Sequence, residues 1–230
     1  MRFLFLLAHP DDEAIGSGGT IKRLTEAGNE VILVVATDGA AGEGGDPETL
    51  GQVRRKELKC SCDILGVKQV RVLDFEDGEI TNKLVWGELT QVFTALIDEH
   101  NPDFVVTFDH SGWYFHLDHI GVSIAATVAA QQVIRPPLGL LLNLHLPATA
   151  GTRWKYVFTD KLPATHAVDV SQVKEVKLAA LKAHASQHSP TFLSHLENNP
   201  RPEELFQLVF EHDNGREKLE KTGIFEQVAR

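Results

Sequence analysis

Apolar runs recur at regular intervals through the first 135 residues. Runs rich in Val, Leu and Phe occupy 3–8 (FLFLLA), 31–36 (VILVVA), 69–73 (QVRVL) and 103–108 (DFVVTF). Unbroken runs of this kind suit strands covered on both faces, as in a parallel sheet. Between them, residues 13–28, 50–66, 84–100 and 117–133 have the length and periodicity of helices. Gly28 and Gly66 stand where helices stop, and Pro102 follows another stop. The alternation predicts an α/β fold: a Rossmann-like, doubly wound, mostly parallel sheet with helices on both faces. After Pro136-Pro137 the pattern changes. LGLLLNLHL (138–146) and KYVFT (155–159) read as strands, and 171–188 reads as a helix with Ser171 at its N-cap. Residues 190–230 are less regular. The organisation expected is a single domain over 1–230, with a core at about 1–135 and a small α+β C-terminal extension over about 136–230.

Composition narrows the partners. A chain of 230 residues can bury a sizeable core, and 43% hydrophobic with 23% charged residues is ordinary for a soluble globular protein. The net charge of −10 weighs against nucleic acid or an anionic membrane as partner. Cys60 and Cys62 are two apart on a predicted helix, where such positions do not face each other, so both read as inert reduced thiols. The opening MRFLFLLA has a short apolar core and acids follow it, which favours a strand over a signal peptide. No run approaches the ~18 apolar residues of a membrane span. The expected location is the cytoplasm.

Two clusters carry the chemistry. HPDDE (9–13) follows the first strand directly, at the carboxyl end where open α/β sheets place their functional crevice. Capping of the next helix by Asp11 or Asp12 accounts for one acid but not for His9 or the second acid. The adjacent GSGG (16–19) suggests a dinucleotide loop, yet the turn where its first glycine belongs carries two negative charges that repel a pyrophosphate. The glycines fit close helix–sheet packing instead. The second cluster, FDHSGWYFHLDHIG (108–121), follows the fourth strand, and its His116 and His119 share a helix face. With His9 and Asp12 the set supplies two imidazoles and a carboxylate, the donors a catalytic zinc needs. Adjacent carboxylates point different ways, so one can bind a metal while the other faces the water on it, and the metal offsets their repulsion.

AHPDDE followed by HLDH resembles the PIG-L/LmbE-like family of metal-dependent N-acetylglucosaminyl deacetylases. Its members remove acetyl groups from N-acetylglucosamine carried on inositol, malate, lipid or another sugar. Arg54 and Glu57 in VRRKEL resemble the family's RxxE helix, EDGEI (76–80) its loop after the third strand, and KLAALKAHASQ (177–187) its K-x-x-A-L-x-x-H-x-S-Q pattern. The resemblance covers about residues 2–190. Many members read G-Y-G-H-P-D-H where this chain has bulky Phe115 and Leu117, a departure that bears on pocket shape.

The resemblance implies His9, Asp12 and His119 as metal ligands and Asp11 as general base. It implies His116 as the electrophile that polarises the amide carbonyl, with Asp118 as its orienting partner. It further implies Tyr114 as a mobile tyrosine beside the carbonyl, and Arg54 and Asp77 as contacts to substrate hydroxyls. The implied cofactor is Zn2+, with other divalent transition metals such as Fe2+ left open. The implied partner is a small N-acetylated amino sugar or its conjugate. In this chemistry zinc lowers the pKa of water toward ~7, Asp11 takes the proton, and a protonated His116 stabilises the oxyanion. Plainer readings stand beside it: Tyr114 as a packing residue, Arg54 as a solvated helix arginine. His184 reaches the site, reaches a neighbouring subunit or caps its helix end. Two rivals remain: a metal-dependent phosphoesterase, which needs two metals and further aspartates, and a non-catalytic sugar-binding protein, which has no use for Asp11. The aglycone and any homo-oligomer are left open.

Overall fold

The computed structural model describes residues 1–144, 163–187 and 190–228. One eight-stranded sheet runs through it, in the order β3-β2-β1-β4-β5-β7-β6-β8. Strands β1 (Arg2–Leu7), β2 (Glu30–Thr37), β3 (Gln69–Phe75), β4 (Phe104–Phe108) and β5 (Gly139–Leu144) pair in parallel. Strand β1 pairs with β2 on one side (Phe3 beside Val31) and with β4 on the other (Phe3 beside Phe104). The winding therefore reverses at the end of β1, which opens a crevice there. Residues Phe3–Leu7 are all buried, as are Val31–Ala36 and Phe104–Val106. The sheet edge behaves differently: in β3 only Leu73 is buried, because an edge strand has no neighbour on its outer side.

Five of the helices make the two covering layers. Helices α1 (Asp12–Glu26) and α2 (Pro47–Leu65) pack with α6 (Lys174–Ala183), while α3 (Trp86–His100) packs against α5 (Leu117–Gln132). A short helical turn, α4 (Gly112–Phe115), leads into α5. Among the described residues no helix is long and apolar enough to cross a membrane.

The later strands β6 (His166–Asp169), β7 (Glu203–Glu211) and β8 (Glu226–Gln227) join the same sheet in antiparallel fashion, with β7 beside β5. Helices α7 (Pro190–Asn198) and α8 (Gly215–Glu220) complete this part. The expected strand at 155–159 lies outside the described residues. The expected helix over 171–188 is shorter: a 3-10 turn, Ser171–Val173, precedes α6. Ser171 does not cap it, since Val173 holds the N-cap and the Ser171 N–H donates to Asp169 Oδ1 at 2.8 Å.

Helix α1 is seated by close approach and by a buried ion pair. A Cβ at Gly16 would lie 2.4 Å from Trp113 Cζ2, and one at Gly19 would lie 2.4 Å from Val170 Cβ. Glu204 on β7 accepts from the Gly19 and Thr20 N–H groups at 2.9 and 2.7 Å. Lys177 on α6 donates to Glu204 Oε1 at 2.5 Å and to the Ile15 carbonyl at 3.0 Å. Such a buried pair is tolerated because both partners are hydrogen-bonded. Together these contacts seat the middle of α1, the helix that follows directly on the loop carrying the first cluster.

Candidate active site

The loop after β1 turns sharply at Asp11, whose φ of 118° lies in the left-handed region. Neither acid caps α1 with its side chain. Asp12 folds back instead: its Oδ2 accepts from the Ala8 and His9 N–H groups at 3.2 and 2.7 Å. Its Oδ1 lies 3.2 Å from His119 Nε2. Burial opposes the charge on Asp12, but the His119 and His9 rings and the backbone donor hold its carboxyl well below the usual range.

The second cluster is delivered by a strained turn. Asp109 accepts from the Ser111 and Trp113 N–H groups, at 2.8 and 3.2 Å, while Trp113 and Phe115 take φ values of 66° and 65°. The buried Trp113 indole donates to the Asn143 carbonyl at 3.2 Å and meets His119 edge-on, with centroids 5.1 Å apart. Phe108 stacks on His119 at 4.0 Å and also meets Trp113 edge-on at 4.8 Å. The His116 ring, from the extended N-cap position of α5, lies nearly parallel to His119 at 4.5 Å.

Three donor groups now converge. His9 Nδ1 lies 3.2 Å from His119 Nε2, His119 Nε2 lies 3.2 Å from Asp12 Oδ1, and His9 Nδ1 lies 3.6 Å from Asp12 Oδ2. Tetrahedral zinc with bonds of about 2.0–2.2 Å sets its ligand atoms about 3.4 Å apart. The donor types suit that ion and each pair lies near that spacing, with Asp12 facing His119 through Oδ1 and His9 through Oδ2, and a nitrogen of His116 also lies within 4.8 Å of nitrogens of His9 and His119. The remote nitrogen of His9 is held as in metal-binding histidines: Nε2 lies 3.0 Å from Asp77 Oδ1 and 3.2 Å from Asp118 Oδ2. Against the opposing effect of burial, those carboxylates and Asp12 push His9 up to about 10.

Asp118 is therefore turned to His9 and not to His116. Its fully buried carboxylate also accepts from the Gly78 and Ile80 N–H groups at 2.7 and 3.1 Å, tying the loop after β3 beneath the site. His116 Nδ1 makes no hydrogen bond to any described residue. Burial, with the neighbouring His119 and His9, pushes His116 down to about 4, so its ring is neutral at pH 7. The imidazolium expected from the sequence lacks the carboxylate that would sustain it.

Asp11 stands beside the convergent donors. Burial and the charge of Asp12 push its carboxyl up to about 7, against the pull of Arg54, whose Nη2 is 3.1 Å from Asp11 Oδ2. Arg54 is buried, and donates as well to the Pro10 carbonyl at 2.5 Å and the Gly39 carbonyl at 2.9 Å. Asp77 Oδ2 accepts from the Ala41 N–H at 2.8 Å. Both candidate hydroxyl contacts thus line the site while holding protein groups. A cavity of about 410 Å³ is lined by His9, Asp11, Asp12, Arg54, Asp77, Tyr114, His116 and His119, with Gln187 at its wall. Burial and the two aspartates raise the Tyr114 phenol, which stays protonated. Glu13, which by sequence reads only as an acid suited to the positive end of the first helix, is fully buried behind Asp11 with Ser61 and His184 on its carboxylate.

Residues 4–130, which include both clusters, match the PIG-L family, described as GlcNAc-PI de-N-acetylase. The chain belongs to the PIG-L family. It is 34% identical over 199 residues to a diacetylchitobiose deacetylase of Thermococcus kodakarensis, covering 81% of this chain and 70% of that protein. A 1D-myo-inositol 2-acetamido-2-deoxy-alpha-D-glucopyranoside deacetylase of Mycobacteroides abscessus is 31% identical over 226 residues, covering 81% of each. The structure of the N,N'-diacetylchitobiose deacetylase from Pyrococcus horikoshii, in complex with its inhibitor MPG, superposes with a TM-score of 0.67 at 26% identity, over 90% of this chain and 83% of that one. As a PIG-L member the chain is a hydrolytic N-deacetylase.

Proposed function

We propose that this PIG-L protein is a zinc-dependent hydrolase that removes the acetyl group from N-acetylglucosamine-type amino sugars. The observation that carries the reading is the convergence of His9 Nδ1, His119 Nε2 and Asp12 at 3.2–3.6 Å with Asp11 alongside. His9, Asp12 and His119 would hold the ion. Bound there, zinc supplies Lewis acidity and brings the pKa of water toward ~7. Asp11, at about 7, accepts the proton of the attacking water and then passes it to the departing amine. A neutral His116 donates its ring N–H to the carbonyl oxygen as charge develops there, and the protonated Tyr114 supplies a second donor. Arg54 keeps the Asp11 carboxylate turned to the site. The named relatives act on N-acetylated sugars, which supports the substrate class.

The test is acetate release from a panel of N-acetylated amino sugars. Chelation should abolish it and added zinc restore it. Asp11→Asn keeps size but cannot accept a proton, so it should retain metal while kcat falls at least ~10²-fold. Zinc-loaded protein that releases no acetate from any member of the panel overturns the reading.

A further inference from the structure

Behind the cavity lies a buried group of side chains that the reaction above does not use. Both polar atoms of the Pro10–Asp11 peptide are held by side chains. Its carbonyl accepts from Arg54 at 2.5 Å, and its N–H donates to Glu13 Oε2 at 3.1 Å. The other oxygen of Glu13 is itself held, accepting from Ser61 Oγ at 2.5 Å and from His184 Nε2 at 2.7 Å. Glu13, Ser61 and His184 are all buried. A buried carboxylate with three donors has one orientation open to it. His184 comes from the C-terminal end of α6, at its cap position, far along the chain from Glu13. Its sequence neighbours tie the same region down: Ser186 donates its N–H and hydroxyl to Glu57 at 2.8 and 2.6 Å, and Gln187 donates to the Glu43 carbonyl at 2.7 Å.

The peptide so clamped is the one that precedes a strained residue. Asp11 is not glycine, yet its φ is 118° and its ψ −24°, a conformation that persists only where the surroundings impose it. We infer that His184 is a positioning residue for deacetylation: through Glu13 it fixes the Pro10–Asp11 peptide, and so the direction in which the Asp11 carboxylate points. The assignment rests on reading Asp11 as the base, and it gives the C-terminal part of the chain a share in aiming a residue of the first loop.

The experiment compares His184→Ala, His184→Gln and Ser61→Ala with the wild type. The first readout needs no turnover: amide hydrogen exchange at Asp11, followed by NMR in metal-free and zinc-loaded protein. Exchange at Asp11 should quicken about tenfold or more in His184→Ala while that of the β1 amides is unchanged, since only local opening is affected. The second readout is kinetic. Misaiming the base should lower kcat about 10–100-fold with KM within about twofold and zinc content unchanged. His184→Gln, whose amide can still donate to Glu13, should recover most of both effects. Should His184→Ala fail to fold, Ser61→Ala removes another donor from the same Glu13 oxygen and should give the same pattern at smaller size. Unchanged Asp11 exchange in a folded variant overturns the inference, as does a kcat loss that tracks zinc loss or that glutamine does not relieve. If the wild type releases no acetate, the deacetylase reading fails, and the exchange data alone decide whether His184 clamps the peptide.

Discussion

Asp118→Asn separates two roles that adjacency in HLDH leaves entangled. The fully buried carboxylate accepts from Gly78 N–H at 2.7 Å and Ile80 N–H at 3.1 Å, and lies 3.2 Å from His9 Nε2. An amide in its place offers one oxygen, so its NH2 group must face either the Ile80 N–H or the Gly78 N–H together with the His9 ring. At least one charge-assisted bond is lost, worth about 1.5–3 kcal/mol. Loss of a carboxylate behind a metal-binding histidine typically costs 10–100-fold in affinity, or about 1.4–2.8 kcal/mol, which is the same scale. Asp77, 3.0 Å from the same nitrogen, should keep the loss nearer tenfold than a hundredfold. Zinc affinity measured by competition with a chromophoric chelator, alongside denaturant unfolding of the metal-free protein, gives both numbers. Weakened zinc binding is the expected result. If affinity stays within about threefold of the wild type while kcat collapses, Asp118 serves His116 after all and the reasoning fails.

Two further outcomes follow from the same geometry. His119→Ala should lose zinc, whereas His116→Ala should keep near-normal zinc content and lose roughly 10²–10³-fold in turnover; equal metal loss in both variants refutes the division of labour. In the metal-free protein Asp11 is raised from 3.8 to about 7, so the folded state retains a proton the unfolded chain gives up, and stability falls as pH rises between those values. Asp11→Asn removes that slope and should be more stable than wild type by about 1–4 kcal/mol above pH 7 but not at pH 4, and a pH-independent difference in urea unfolding would count against it.

The parallel half of the sheet was legible because strands covered on both faces must be unbroken apolar runs, as 3–8 and 31–36 are. Strand β7 was not, because an inward position of EELFQLVFE is the charged Glu204, whose partners Lys177 and the α1 amides are invisible in local sequence. That His9, Asp12 and His119 come together was legible because two dense clusters fall at strand ends. The partner of Asp118 was not. Residues 116 and 118 sit two apart at a helix start, where side chains diverge, and Asp118 instead meets His9, from the loop after β1, and the backbone N–H groups of Gly78 and Ile80. His184 stayed ambiguous for a related reason: 171 residues separate it from Glu13.

The order of synthesis matters for this architecture. Gly16, Gly18 and Gly19 sit at the centre of α1, and each costs roughly 1 kcal/mol against alanine in a helix interior. Left to itself such a segment is a poor helix, and two of its amides look to Glu204 for their acceptor. A chain leaving the ribosome carries His9, Asp11, Asp12 and His119 long before it carries Glu204. The nascent chain therefore holds the residues of both clusters while the helix beside them still lacks Glu204. The acceptor for those two amides arrives with β7, beside β5, one of the last strands made, so this support for α1 completes late in synthesis.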